Sequence, residues 1–395
     1  MYQLSFIFFL LSGACSLTLI VAAGPRQCRG ENNQPVDWYV LYKLPKRPES
    51  SNKLVQKGVA YLYMTSETSS QKWTLSDKDI SSKNSIPGNT LASLYDNKQE
   101  DDELWLLYND QPPNRSTGRY GHAKGVVNVD DNKGYWLIHS VPNFPPAPNG
   151  GKEPRKRAST ENITTTIQIP DGSYDYPSTG KQNGQSFLCI SLDLNQFDLV
   201  GKQLMYNQIT VYKNNVPKEL GKKFSVLAQA ANQVRIKTAP FYNAAILSSL
   251  EQTRFISFAK SAKWNKDLYD DFVAPELKTD LLTETWLNGR GRLPSECNGS
   301  RVFNVESVYL KEVDLNFNSS HDHSKWAVAS ENKSNSNWVC VGDINRADTQ
   351  FTRGGGTVCL NLAKVWKNYR DSVAGIEPCP KPKKTFFQKL KNWFS

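Results

Sequence analysis

The chain of 395 residues has no Cys-x-x-Cys pair, only four histidines, and no charged side chain before Arg26. No cysteine has a histidine neighbour at ligand spacing, so the pattern of a structural zinc site is missing. The Gly354-Gly355-Gly356 run lacks the following Lys-Ser/Thr of a phosphate-binding loop and reads as a tight backbone turn. Gly-X-Y triplets, sustained heptads and repeated long apolar runs are absent, which excludes a collagen, a coiled coil and a multi-span membrane protein. What is present is 38% hydrophobic residues and 11% aromatics, enough apolar surface for a real core. Against 38 acidic side chains stand 48 basic ones, and the net charge of +10 predicts attraction to polyanions such as nucleic acid, heparin-like glycans or anionic lipid.

Met1 to Ala23 carry an apolar run from Phe6 to Leu11 and end in Val21, Ala22 and Ala23. Despite lacking a basic start, this stretch (1–23) reads as a secretory signal peptide cleaved near Ala23. Cys15 leaves with it, and six cysteines remain: Cys28, Cys189, Cys297, Cys340, Cys359 and Cys379. An even count in a secreted chain predicts three disulfides, with fifteen pairings open. Sequons at Asn114, Asn162, Asn298, Asn318 and Asn332 fit a glycosylated extracellular or lysosomal protein.

Short β-rich runs recur at Trp38–Tyr42, Val59–Met64, Leu104–Tyr108, Phe187–Leu192, Phe255–Ala259 and Val302–Leu310. Leu362, Val365, Trp366 and Tyr369 form the clearest amphipathic helical set, and a mixed α/β or α+β class follows. The segment from Pro142 to Thr166, with the triplet Arg155-Lys156-Arg157, reads as a long surface loop. Residues 381–395 set Phe386, Phe387, Leu390, Trp393 and Phe394 beside Lys383, Lys384, Lys389 and Lys391, an amphipathic tail suited to an anionic membrane or DNA.

The chain also repeats itself. His122-Ala123-Lys124 returns as His323-Ser324-Lys325, 201 residues later, and each is followed by an apolar strand, a polar turn and a second strand. Trp136 with Trp338, and Asn143 with Asn345, extend the match at 202 residues, as if one residue were inserted in a duplicated hairpin. On a strand, residues i and i+2 share a face, so each histidine points with its lysine. Two such faces brought together give two imidazoles and two ammonium groups, a set suited to a phosphodiester. One imidazole can attack phosphorus while the other protonates the leaving oxygen and then activates water. The lysines offset charge gathering on the phosphoryl oxygens, a role a metal fills elsewhere, so no metal or other cofactor is expected. On spacing alone His139 reads as a hydrogen-bonded core residue, and His321 as a solvated loop residue.

Val36-Asp37-Trp38, Tyr42-Lys43-Leu44-Pro45, Leu107-Tyr108-Asn109-Asp110, Gly121-His122-Ala123-Lys124-Gly125, His139-Ser140-Val141-Pro142-Asn143-Phe144-Pro145-Pro146, Asp322-His323-Ser324-Lys325-Trp326 and Arg353-Gly354-Gly355-Gly356-Thr357 together resemble the deoxyribonuclease II family over about residues 28–380. The resemblance implies two pseudo-symmetric phospholipase D-like lobes with mixed β-sheets and flanking helices, spanning 24–200 and 201–380, each giving one His-x-Lys to a shared site. It implies metal-independent endonucleolytic cleavage of DNA at acid pH to 3′-phosphate ends, by a secreted or lysosomal protein. His122, Lys124, His323 and Lys325 are then catalytic, and His139, Asn143 and Asn345 supporting. Superfamily analogy puts the nucleophile at His122, although the near-symmetry of the motifs leaves the division open. The implied disulfides are Cys28 with Cys189, Cys297 with Cys379, and Cys340 with Cys359. The alternative reading is a catalytically silent secreted DNA-binding or effector protein on the same scaffold. The oligomeric state is open.

Overall fold

The computed structural model describes residues 26–68, 72–95, 102–113, 120–149, 172–331 and 336–380. The leader, the basic triplet, the tail and the sequons at Asn114, Asn162 and Asn332 lie outside the described residues. Asn298 and Asn318 are described, and both are exposed.

Two large sheets form the chain's α+β architecture. The first is built from β1 (Trp38–Lys43), β2 (Tyr61–Thr65), β3 (Thr74–Leu75), β4 (Leu104–Asn109), β5 (Lys124–Val129), β6 (Gly134–His139), β7 (Gln185–Leu192) and β8 (Val211–Asn215), in the spatial order β3-β2-β1-β7-β6-β5-β4-β8. The second contains β9 (Tyr242–Ser248), β10 (Arg254–Lys260), β11 (Leu281–Glu284), β12 (Val302–Leu310), β13 (Leu315–Asn318), β14 (Trp326–Ala329), β15 (Trp338–Gly342), β16 (Gly355–Asn361) and β17 (Val373–Ile376). Its order is β13-β12-β11-β14-β15-β16-β10-β9, with β17 on β12, and it is mixed because β11 and β12 run parallel. Strands β1, β4, β5, β6 and β7 are buried along their whole length, and their near-continuous apolar runs follow from being covered on both faces.

Alternation along β7 shows how the layers are made. Leu188, Ile190 and Leu192 enter a core that also holds Trp326, Val328, Val339, Val341, Val358 and Leu360 of the second sheet, while Phe187 and Cys189 face a separate outer core. Helices α2 (Phe197–Asn207) and α3 (Ala363–Ser372) supply Val200, Leu204, Val365 and Tyr369 to the shared core. Helix α1 (Ile86–Tyr95) covers the outer face of the first sheet through Ile86, Leu91 and Leu94. Tyr269, Phe272 and Val273 cover the outer face of the second.

The pairing registers superimpose one lobe on the other. Leu137 stands opposite Cys189 in the first sheet and Cys340 opposite Cys359 in the second, while Gly125 pairs Ile138 as Trp326 pairs Val341. Equivalent residues are therefore 201 apart at Lys124 and Lys325 and 203 apart on the returning strand. This corrects the spacing read from the tryptophans: two residues are inserted in the hairpin, Trp136 is equivalent to Val339, and the place of Trp338 is taken by Tyr135. Tryptophan is large enough to fill either face, so identity alone misled the register by one. The same count makes Arg346, not Asn345, the equivalent of Asn143.

Cys28 joins Cys189, Cys297 joins Cys379 and Cys340 joins Cys359, with Cα separations of 6.0, 5.9 and 3.9 Å. Cys189 and Cys359 occupy the same place in their respective sheets. Gly354 to Gly356 are not a turn: Gly355 opens β16, and a turn over Phe351 and Thr352 precedes it. A side chain at Gly354 or Gly356 would run into the backbone oxygen of Asn207 or Phe258, so the bare backbone serves close packing.

Candidate active site

Both His-x-Lys triplets lie at strand entrances. Lys124 is the first residue of β5 and Lys325 immediately precedes β14, so each histidine sits in the lead-in rather than inside the strand. Each lead-in is gripped by the opposite lobe. The His122 amide donates to the Gly354 carbonyl at 2.8 Å, and the His323 amide donates to the Gly184 carbonyl at 2.9 Å. Gly184 and Gly354 are equivalent by the Cys189 and Cys359 register, so the two contacts form one reciprocal clamp. The Lys325 amide adds a bond to Ser186 Oγ at 3.1 Å, again across the lobes.

The reciprocal clamp brings the two lead-ins together, and each histidine's charge state responds to the other motif. Burial first, then Lys124, Arg353 and Lys325, hold the His122 imidazole well below the ordinary histidine value, with a Gln350 hydrogen bond opposing. Enclosure first, then Lys325, Lys124 and His122, do the same to His323, with Asp110 opposing. Burial and then Lys124 likewise hold the Lys325 ammonium well below its ordinary value.

Asp110, one residue past β4, organises the first half. Its carboxylate pairs with Lys124, receives Arg353 at 3.1 Å and lies 3.8 Å from Nε2 of His122. Burial alone would raise this carboxyl, but Lys124 and Arg353 outweigh it and hold it below the usual range. Arg353 also donates to the Gly121 carbonyl at 3.0 Å. Lys260 donates to the carbonyls of Gln350, Phe351 and Arg353 at 2.9 to 3.0 Å and so pins the loop that carries this arginine.

The second half is built differently. Nδ1 of His323 contacts the Ser140 carbonyl at 3.0 Å and Gln185 Oε1 at 3.2 Å, and Trp286 packs edge-on against its ring at 5.2 Å. Lys325 Nζ bonds the His323 carbonyl at 2.6 Å. Below it, Asp322 accepts from Tyr42 and from the Ser324 amide, and burial raises its carboxyl. Asp343 is buried and accepts from the Gly356 amide at 3.2 Å; burial pushes its pKa up to about 7.

His139 lies one step along the register from the Ile138–Gly125 pair, which sets it across from Lys124. It is fully buried, accepts the Val141 amide on Nδ1 at 3.1 Å and rests against Phe144 and Phe187. Asn143 adopts φ 59° and its side chain holds the carbonyls of Gln111 and Pro112 at 3.2 and 3.0 Å, fixing the loop after Asp110. Asn345 is buried with no partner for Oδ1 among the described residues, and His321 is exposed beside Ser320. Asp110, Gln185, Trp286, Lys260 and Arg353 had no role on spacing. Asp110 and Arg353 do fall inside the motif segments, but only the register connects them to a histidine.

Among the described residues, no group of three or more His, Cys, Asp or Glu side chains could hold a metal ion, and no helix is long and apolar enough to cross a membrane. The model of the deoxyribonuclease II family matches residues 27–379. The chain belongs to that family. Plancitoxin-1 of Acanthaster planci is 36% identical over 357 residues, covering 89% of this chain and 92% of its own. Deoxyribonuclease-2-alpha of Rattus norvegicus is 36% identical over 367 residues, with 91% and 97% covered. Deoxyribonuclease-2-beta of Homo sapiens is 33% identical over 366 residues, with 91% and 93% covered. As an enzyme the chain is a nuclease of the deoxyribonuclease II type.

Proposed function

We propose that the chain cleaves DNA phosphodiesters internally at acid pH, without a metal ion, through a phospho-histidine intermediate that leaves 3′-phosphate ends. The observation that carries this reading is the reciprocal clamp, in which each lobe's glycine carbonyl holds the other lobe's histidine. Two imidazoles presented from reciprocally clamped lead-ins can divide an in-line displacement. One attacks phosphorus with its lone pair, forming a P–N bond as the P–O5′ bond breaks, while the other delivers its proton to O5′. The second imidazole then takes a proton from water, the water oxygen bonds to phosphorus, and the P–N pair returns to the first. Lys124 and Lys325 face the charge that builds on the phosphoryl oxygens.

The electrostatics supports an acid optimum. Burial and neighbouring cations hold both histidines low, so the imidazolium required as general acid forms only as pH falls below about 6.5. The bound phosphodiester, carrying negative charge, aids that protonation. The paired cysteines and the exposed sequons at Asn298 and Asn318 support a secretory route, ending outside the cell or in the lysosome. His139 backs Lys124 and keeps it seated.

The test is plasmid nicking at acid pH in EDTA, followed by analysis of the ends. Nicks carrying 3′-phosphate and 5′-hydroxyl groups are expected. A strict requirement for magnesium, 5′-phosphate ends, or DNA binding without cleavage would contradict the reading, the last in favour of a silent DNA-binding protein.

A further inference from the structure

The two histidines are held by different hydrogen-bond sets, and the difference decides where each carries its proton. Nδ1 of His323 faces the Ser140 carbonyl oxygen at 3.0 Å and Gln185 Oε1 at 3.2 Å. A carbonyl oxygen has no proton to give, so Nδ1 is the donor and Nε2 keeps its lone pair. The Gln185 amide is itself oriented, because Ser140 Oγ accepts from the Ser186 amide at 2.9 Å and donates to Gln185 Oε1 at 2.6 Å. Lys325 Nζ also comes within 3.1 Å of Nδ1, but it has the His323 carbonyl as an acceptor at 2.6 Å.

The other lobe lacks this device. By register Gly355 stands where Gln185 does, since Lys43 pairs Gln185 in the first sheet and Lys260 pairs Gly355 in the second. With no side chain there, His122 Nδ1 makes no close hydrogen bond among the described residues; its ring has only a looser contact with Gln350, from the loop that carries Arg353, and the Asp110 carboxylate 3.8 Å from Nε2. That carboxylate opposes the burial and the cations Lys124, Arg353 and Lys325 that hold the His122 ring well below its ordinary value. His323 is partly exposed, whereas His122 is only 6% exposed.

We propose that His323 is the nucleophile, attacking through Nε2, that His122 is the general acid, and that Gln185 is a positioning residue fixing the His323 tautomer from the opposite lobe. This rests on the phospho-histidine reading and reverses the assignment that superfamily analogy suggests. The DNA 3′-phosphoryl group is carried on His323 Nε2 while the 5′-oxygen leaves with the proton of His122. The proton on Nδ1 stays with Ser140 and Gln185 throughout.

The test uses the p-nitrophenyl ester of thymidine 3′-phosphate, whose nitrophenolate leaves without a general acid. In His122→Ala, attack proceeds but the water step has lost its base, so a burst of nitrophenolate is expected with a thymidine-3′-phosphoryl adduct on His323 Nε2 by mass spectrometry. His323→Ala gives neither. A burst and an adduct on His122 in His323→Ala would overturn the assignment while leaving the two-histidine reading intact. No adduct on either histidine would overturn that reading itself.

Gln185 is tested by a pair of variants on DNA. Gln185→Leu loses on the order of 10–100-fold in kcat with KM little changed, as expected for a misplaced reacting group. Gln185→Glu keeps the Nδ1 acceptor and the shape, so it folds and turns over. Its carboxylate stabilises the imidazolium beside Lys325, Lys124, His122 and Asp110, and the acid limb of the pH–rate profile moves to higher pH. An unshifted limb in Gln185→Glu, or full kcat in Gln185→Leu, would remove Gln185 from this role.

Discussion

The first and second lobes share a register but not a chemistry. Lys124 and Lys325 are equivalent, as are the buried Lys43 and Lys260 and the clamping Gly184 and Gly354. Around that common frame nearly every neighbour of the histidines differs. Tyr108 pairs Gly125 as Glu284 pairs Trp326, so two residues on, Asp110 of the first lobe corresponds to Trp286 of the second. Gln185 corresponds to Gly355, and Ser140 to Asp343. Duplication has kept the lysines and the clamping glycines and altered the neighbours of the histidines. The proposed displacement needs two like residues in unlike states, and the differing neighbours are where that difference would arise.

The largest consequence falls on Asp110 against Trp286. Asp110→Asn leaves the buried Lys124 ammonium without its counter-charge, which costs about 3–5 kcal/mol, and removes the carboxylate beside His122. We expect kcat to fall on the order of 10²–10³-fold with a lowered Tm, whereas Trp286→Phe, which keeps the edge-on ring contact, loses less than about 10-fold. Equal losses would erase the asymmetry.

Next come the disulfides that share the equivalent strand. Cys28–Cys189 closes a separation of 161 residues and Cys340–Cys359 one of 19. In the chain-entropy model the first is worth about 5 kcal/mol and the second about 3. Paired Cys→Ser variants of each bridge, unfolded in guanidinium, should lose stability in that order.

The smallest effect separates Asp343 from Ser140. Burial raises the Asp343 carboxyl to about 7, so its contribution to stability is fully present below the unfolded value of about 4 and is lost as pH rises through about 7. The two lowered histidines act in the opposite sense, costing stability as pH falls below about 6.5. Asp343→Asn removes the first effect alone, and the difference in Tm between variant and wild type should grow by about 2–4 °C from pH 5 to pH 8. A constant difference would mean that Asp343 does not titrate there.

Much of this was legible in the sequence. Continuous apolar runs such as Phe187–Leu192 identify buried strands, and Leu362, Val365, Trp366 and Tyr369 mark the last helix, because burial writes a period that needs no partner to be read. The two His-x-Lys triplets declared a duplication. The register did not follow, since the match of Trp136 with Trp338 was one residue off and only strand pairing corrects it. The glycine run reads as a turn in the sequence because its reason, close contact with Asn207 and Phe258, comes from residues distant in the chain. Gln185 and Trp286 were invisible for the same cause: Gln185 meets His323 from β7 of the other lobe and Trp286 from the segment after β11, and no local spacing encodes either contact.

If the two lobes build one site as proposed, both histidines are indispensable and unlike. The direct measurement is single-turnover cleavage of duplex DNA in EDTA across acid pH, by wild type, His122→Ala and His323→Ala, with folding and DNA binding measured alongside. A bell-shaped wild-type profile on the acid side of about 6.5 is expected, unchanged by EDTA, with each variant folded, able to bind DNA and slowed on the order of 10³-fold or more. A folded variant of either histidine that cleaved DNA at near the wild-type rate would contradict it.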